Sequence, residues 1–374
     1  MNGVTERSLS ATMKALGKQR WFQVSMVALL AIIMSLVFSR ILAPGFDVNR
    51  VFYPAVSAVW QGQSAYDQVK LFTNPPWTLL PLLIFGPFPS ALMHGALVTA
   101  TLLAMFWVMR EYARFKVSYS LAVISMPFLA MLWVGQIEAF ALAGTLLAYR
   151  AVKQPVKQRN EWQLALGLLM MLVKPQETWV IVLLIAGSVM RQWRPRRYVR
   201  AALLVIGMAL ATSLLFGFGW LDRILSGPSY ANGWQNFSLW QLSEYVPQVI
   251  VIGLWIVIAL VTLGSLRRAG LSRMGLAVAA VGSNLLSPYL TGPHLLMSLC
   301  FGWGLLLDES IGWGTVAYLF SLTPLLRLTT GNQALNQLDL IFPVVVMAGL
   351  IVRQFFAARA PLVRTNEQRW RETG

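Results

Sequence analysis

The chain has 374 residues, of which 57% are apolar, 12% aromatic and only 12% charged. A soluble globular domain carries about 25% charged residues. A formal net charge of +16 on so apolar a chain does not describe a soluble enzyme, a disordered protein or a nucleic-acid binder. One cysteine, Cys300, excludes an internal disulfide, and two histidines, His94 and His294, exclude a multi-histidine metal cluster.

Long apolar runs recur from Trp21 to Phe356, the pattern of a polytopic, all-α membrane protein built as one integral domain over 1–374. The first run, 21–42, is long enough to span, and no small-residue cleavage pattern follows it. It reads as a retained helix and not a removed signal peptide. Further spans are expected at 90–109, 118–134, 137–150, 161–174, 176–190, 198–218, 246–266, 274–289, 293–308, 311–328 and 337–357, giving about twelve. Several fall below the roughly 20 residues that a crossing needs. The short helices between 118 and 190 therefore predict a cavity reaching into the membrane. Residues 75–89 carry five prolines and are expected to lie on the outer face or to re-enter, without crossing.

Charge sets the expected orientation. Of the 30 basic residues, 24 fall in six short segments: 1–20, 110–117, 150–160, 191–200, 267–273 and the tail after 352. The positive-inside rule places all six, and hence both termini, in the cytoplasm of a plasma (inner) membrane. These loops can sit against anionic lipid. The first outer loop, 43–89, and the loop 219–245 then face outward.

The fourteen carboxylates must supply any acid–base chemistry. Seven map to the inner face, among basic residues. Seven map to the outer face: Asp47, Asp67, Glu138, Glu177, Asp222, Glu244 and Asp339. Asp47 stands out, at the start of an apolar periodicity (Val48, Val51, Phe52, Ala55, Val56, Val59) that predicts an amphipathic helix along the outer interface. Helix capping and catalysis are both open to it. Gln136 and Glu138 sit in the turn WVGQIEAF, either as interface polarity or as a wall of an outer cavity. Lys174-Pro175 breaks two short helices at the same face. Lys174 is a candidate phosphate clamp, or a lysine snorkelling to headgroups. His294 lies in a Pro- and Gly-rich turn, where a hydrogen-bonded structural role is the plain alternative. Asn236 forms a sequon-like triplet in an outer loop. Phosphate-loop, dinucleotide and zinc-hydrolase motifs are lacking.

In order along the chain stand Phe46-Asp47, Tyr53 and Ala55, Gly62, Tyr66-Asp67, Asn74-Pro75-Pro76-Trp77, Gly135-Gln136, Lys174-Pro175, Asn236-Phe237-Ser238-Leu239 and Leu286-Ser287-Pro288 with His294. This pattern, over residues 40–300, resembles the polyprenol-phosphate-mannose-dependent mannosyltransferases of the GT-C class of membrane glycosyltransferases. The chain departs from that family in having Glu138 after the GQ turn, where an amide is usual, and a histidine without an acidic neighbour at the SP turn. The resemblance implies a GT-C-type bundle with an outer juxtamembrane helix after the first span. It also implies a hexosyltransferase in which Asp47 is the general base. The partners implied are a polyprenyl-phosphate sugar donor and a lipid or glycan acceptor, at the extracytoplasmic face and with no nucleic acid. No cofactor is expected, beyond weak divalent-ion binding by Asp47 with Glu138. Lys174 first and Arg50 second are expected to hold the donor phosphate, with Arg223 further back. His294, Gln136, Glu138 and Asn236 are expected in the substrate site, and Tyr53 and Trp77 against sugar or isoprenoid. A lipid-linked sugar flippase or a glycan polymerase/ligase would use a similar bundle.

Overall fold

A computed structural model describes residues 3–112, 117–225, 238–325 and 333–359. It is helical, with no strand among the described residues. The principal helices are α1 (Gly3–Ile41), α2 (Tyr53–Trp60), α3 (Ser90–Tyr112), α4 (Val117–Val123), α5 (Met126–Val134), α6 (Glu138–Lys153), α7 (Glu161–Met171), α8 (Pro175–Gln192), α9 (Pro195–Phe216), α10 (Gln248–Ala269), α11 (Arg273–Leu285), α12 (Gly304–Glu309), α13 (Ile311–Phe320) and α14 (Ile341–Arg359). Among the described residues, helical segments fall within each stretch expected to span, though several end well inside its bounds.

Five helices are long and apolar enough to cross a membrane, or six if α4 and α5, bent by 47° at Ile124–Ser125, count as one. Of the about twelve expected spans, several of them short, five or six are thus long enough to cross by themselves among the described residues. At 1.5 Å per residue, the 16 residues of α6, 11 of α7 and 13 of α11 fall short of a hydrocarbon core of about 30 Å. The sequence ends these helices itself. Proline sits at the start of α5, α8 and α9, and Gly135 terminates α5 with left-handed backbone angles. Residues 76–85 form a short apolar helical run, below spanning length, as the prolines imply.

Two hydrophobic clusters organise the chain. The larger runs through the helices from α3 to α14. The smaller is built by the first outer loop: Val48, Val51, Phe52, Val56, Phe72 and Leu79 pack on Met93 and Leu97 of α3 and on Ile137 and Val173. The loop is therefore a folded cap on one end of the bundle. It is pinned there by hydrogen bonds from Trp77 Nε1 to the Leu169 carbonyl (3.0 Å) and from Asn74 Nδ2 to the Val173 carbonyl (3.2 Å). Outside, α1, α9 and α10 expose nearly continuous Leu, Ile and Val, a surface suited to lipid and not to water.

The opposite end gathers the basic segments. Arg150 pairs with Glu111, Arg197 with Glu161 (3.7 Å), Arg273 with Asp308 (3.6 Å) and Arg353 with Glu309 (3.0 Å). The Arg273 guanidinium also lies 5.5 Å from the Tyr112 ring. Five of the six basic segments thus meet at one end, while residues 1–20 have side chains outside the described ones. Each such half-exposed pair contributes only about 0–1 kcal/mol, so their value lies in aligning the loops.

Helices α6 and α7 approach through small residues. A Cβ on Gly144 would stand 2.7 Å from the Gly167 carbonyl oxygen, and one on Gly167 2.7 Å from the Ala148 nitrogen. Close backbone contact of this kind is how helices associate where lipid removes the hydrophobic drive. Gly144→Ala and Gly167→Ala are each expected to destabilise the protein by about 1–3 kcal/mol through overpacking. Gly187→Ala, whose Cβ would meet open space, is expected to leave it unchanged or to stabilise it by up to about 1 kcal/mol through helix propensity. Thermal unfolding in detergent checks the contrast.

Candidate functional site

The capped end holds a cavity of about 780 Å³. Asp47, Asn74, Gln136, Lys174, Gln176, His294 and Asp339 line it, together with Phe46, Phe52, Met126, Trp133 and Tyr289. The four segments that the sequence singles out, at 46–47, 135–138, 174–177 and 287–294, converge here.

Two glycines bring the first two segments together. The chain turns helical at Phe46, directly after Gly45, whose Cβ would run into the Val134 carbonyl and lie 2.7 Å from the Gly135 nitrogen. Gly135 has φ +74°, and a Cβ there would stand 2.7 Å from Val48 Cγ2. Only glycine meets both demands. His94 locks the contact: its Nδ1 accepts the Gly45 N–H (3.1 Å), and its Nε2–H donates to the Leu132 carbonyl (2.9 Å). The product is a side-chain hydrogen bond from Gln136 Nε2 to Asp47 Oδ2.

Asp47 is not a helix cap. It already has helical angles, φ −71° and ψ −33°, and its side chain caps nothing. The five residues after it, Val48–Phe52, form a π-helical turn leading into α2, a local widening frequent at functional sites. Burial raises the Asp47 carboxyl from its ordinary value to about 7; Lys174 pulls it down and Glu138 pushes it up.

Behind this wall lies a buried ionic cluster. The break Leu172–Lys174 between α7 and α8 places the Lys174 ammonium 2.7 Å from Glu138 Oε1 and 3.1 Å from Glu177 Oε1. These side chains are almost fully buried: Lys174 is 3% exposed, Glu138 0% and Glu177 1%. His294 Nε2 stands 3.4 Å from Glu177 Oε1. Its Nδ1 accepts the Thr291 N–H (3.2 Å) in a reciprocal cap of the 292–295 turn. Asn284 holds the same turn by donating to the His294 carbonyl (3.2 Å), and Ser298 donates in turn to the Asn284 oxygen (2.5 Å).

Glu138, Glu177 and His294 bring one ligand atom each within 4.8 Å, the spacing of a metal site. The donor set does not fit a metal. The ammonium of Lys174 already stands between the carboxylates. With Nδ1 accepting from Thr291, neutral His294 keeps its proton on Nε2, the nitrogen that would have to bind the ion. Of the pair expected to hold an ion weakly, Glu138 takes Lys174 and Asp47 takes Gln136.

The other expected site residues part company. Arg50 is exposed and is not among the residues lining the cavity. Tyr53 packs into the outer-loop cluster, and Trp77 is held edge-on to Trp220 besides its bond to Leu169. Arg223 donates to the Tyr66 (2.8 Å) and Lys70 (2.6 Å) carbonyls and braces the loop. Asn236 lies outside the described residues. The sequence reading passed over Gln176, Glu177 and Asp339 as site residues. Asp339 lines the cavity and accepts from Thr323 Oγ1 (3.1 Å). The Lys174–Glu177 pair had a visible signal, an i,i+3 spacing across the start of a helix.

No family model matches the chain, and neither a curated protein nor a solved structure does. The functional reading therefore rests on the geometry of the cavity and on the motif resemblance.

The Lys174 cluster is testable by itself. Lys174→Met leaves two carboxylates buried without a cation and is expected to cost about 3–5 kcal/mol. Adding Glu138→Gln and Glu177→Gln to Lys174→Met is expected to recover most of that loss, read as the unfolding midpoint of the purified protein.

Proposed function

We propose that the chain is an integral membrane hexosyltransferase of GT-C type, with about twelve membrane passes counting the short ones, and with its basic end in the cytoplasm. It moves a sugar, mannose by the resemblance, from a polyprenyl-phosphate donor to an acceptor hydroxyl at the extracytoplasmic face. The observation that carries this reading is Asp47: a carboxylate on a cavity wall, held by Gln136, capping no helix and tuned to about 7.

A base with that value is matched to neutral pH. It is ionised often enough to work, and it binds a proton more strongly than an ordinary aspartate. Gln136 fixes one carboxylate oxygen and leaves the other for the acceptor hydroxyl. The acceptor oxygen attacks the anomeric carbon as its proton passes to Asp47. The bond from that carbon to the phosphate oxygen breaks, and polyprenyl phosphate leaves with the electron pair. A single displacement of this kind inverts the anomeric centre. Asp339, Asn74 and Gln176 offer acceptors and donors for sugar hydroxyls, and the apolar lining suits the isoprenoid. Lys174 is the one cation lining the cavity among the described residues. Its ammonium belongs first to Glu138 and Glu177, so in this reading it fixes the cavity wall and meets the phosphate only at the expense of one of those contacts.

The test is transfer in proteoliposomes supplied with labelled polyprenyl-phosphate mannose and a membrane lipid extract. Asp47→Asn is expected to lower transfer by about 10²–10⁴-fold. For the wild type, kcat/KM is expected to rise about tenfold per pH unit below 7 and then level off, following ionisation of Asp47. A raised carboxyl favours the folded state while protonated, so Asp47 withdraws stability as pH climbs from about 4 through 7. Asp47→Asn is therefore expected to unfold at a higher temperature than wild type at pH 8, which separates lost chemistry from lost structure. Equal transfer by both proteins would remove Asp47 from the reaction. Movement of labelled lipid between leaflets without a product would replace the enzyme with a flippase.

A further inference from the structure

The basic end of the bundle holds more positive charge than its carboxylates answer, and the excess has a definite place. Between residues 151 and 200 Glu161 is the one carboxylate on that end, since Glu177 lies at the cavity end. Two cations there are spent on structure. Arg159 donates to the Gln192 carbonyl (2.5 Å) and lies 5.9 Å from the Trp193 ring. Arg197 donates to the Val156 carbonyl (2.9 Å) and pairs with Glu161. They knit the loops 154–160 and 193–197 into one platform. Arg191, Arg194, Arg196 and Arg200 are exposed on it and make no ion pair among the described residues.

We propose that the first turns of α9, with the end of α8, bind the headgroup of an anionic phospholipid. This does not depend on the transferase reading. Arg196, Val199, Arg200 and Leu203 follow i, i+3, i+4, i+7 spacing and share one face of α9. That face stays exposed beyond them, with Leu203 61%, Ile206 53%, Leu210 51% and Leu214 76% accessible. A single helical stripe thus begins with two guanidinium groups and continues apolar for the rest of a helix long enough to span. Cations at headgroup depth above an apolar track at acyl depth are complementary to an amphiphile with an anionic head. A soluble phosphate or a nucleic acid would use only the upper half. Guanidinium forks suit phosphate oxygens.

The experiment uses the full chain in detergent, titrated with phosphatidylglycerol or with phosphatidylcholine of the same acyl chains. Thermal unfolding and native mass spectrometry give the readouts. Phosphatidylglycerol is expected to raise the unfolding temperature and to remain bound in the gas phase, and phosphatidylcholine is not. The triple variant R194Q/R196Q/R200Q is expected to bind phosphatidylglycerol on the order of 100-fold more weakly, with its unfolding curve in phosphatidylcholine unchanged. R267Q/R268Q, in another basic segment, is expected to keep the affinity. Equal effects of the two lipids would overturn the proposal, as would a triple variant that binds like wild type or a R267Q/R268Q variant that loses as much. The same stabilisation by inorganic phosphate or by an RNA oligonucleotide would overturn the lipid assignment.

Discussion

The cavity end of this bundle depends on one ammonium group shared by two carboxylates. Lys174 reaches Glu138 at the start of α6 and Glu177 in the first turn of α8, and Glu177 faces His294 on the 292–295 turn. Helices that end short of a full crossing leave polar backbone and helix termini in an apolar setting, where each unsatisfied group is expensive. The cluster gathers the ends of such helices around one cation shared by two carboxylates. It also fixes them in position, because an ion pair this deeply buried cannot slide without exposing a bare charge. Lys174 and His294 are the members of the cluster that line the cavity.

Much of this was legible in the residues. The break at Lys174-Pro175, the GQ turn and the outer helix after Asp47 were each signalled by a residue type at a helix boundary. Pro cannot continue a preceding helix, and Gly135 suits a left-handed cap. The partners of the charged groups were not legible. Sequence alone left Asp47 between cap and base, because Asp favours both positions. What decides between them is Gln136, 89 positions away, brought close by Gly45 and Gly135. Phosphate clamp and snorkelling lysine both suit Lys174 in sequence; Glu138, 36 positions away, and Glu177 claim its ammonium instead. Trp77, Tyr53 and Arg223 had the chemistry of sugar and phosphate ligands, yet packing and carbonyl contacts absorb them into the outer-loop cap. In a chain this apolar, polar side chains are few, and many of them are consumed in satisfying backbone.

Among the described residues five helices, or six with the bent pair, are long and apolar enough to cross a membrane. Apolar content marks a segment as buried away from water, but it does not say whether lipid or protein covers it. Helices α9 and α10 are exposed over most of their apolar length, whereas α11 is buried throughout. Both kinds read as hydrophobic runs. Length does not separate them, since α3 has 23 residues and is 67% buried, while α9 and α10 have 22 each and are 17% buried. The asymmetry of charge was easier to read, since the five basic segments with described side chains do meet at one end. Their pairing is weak enough that orientation in a membrane, and not stability, is the plainer reason for it.

On the proposed reaction, the charges around the cavity pose a problem that the tuning of Asp47 resolves. Three carboxylates, those of Asp47, Glu138 and Glu177, stand near one ammonium, and the donor itself is a phosphate anion. With Asp47 ionised, the wall repels that donor; with Asp47 protonated, it admits the donor but has no base. An ordinary aspartate would be ionised at neutral pH nearly all the time and would favour repulsion. A fully desolvated one would hold its proton and fail as a base. A value near 7 keeps both forms populated. Burial supplies the upward push, Glu138 adds to it, and Lys174 limits it. The ion pair behind the wall therefore does more than hold helices together. On the proposed reaction, one cation and one nearby carboxylate in opposition adjust how strongly Asp47 holds a proton, on top of the larger effect of burial.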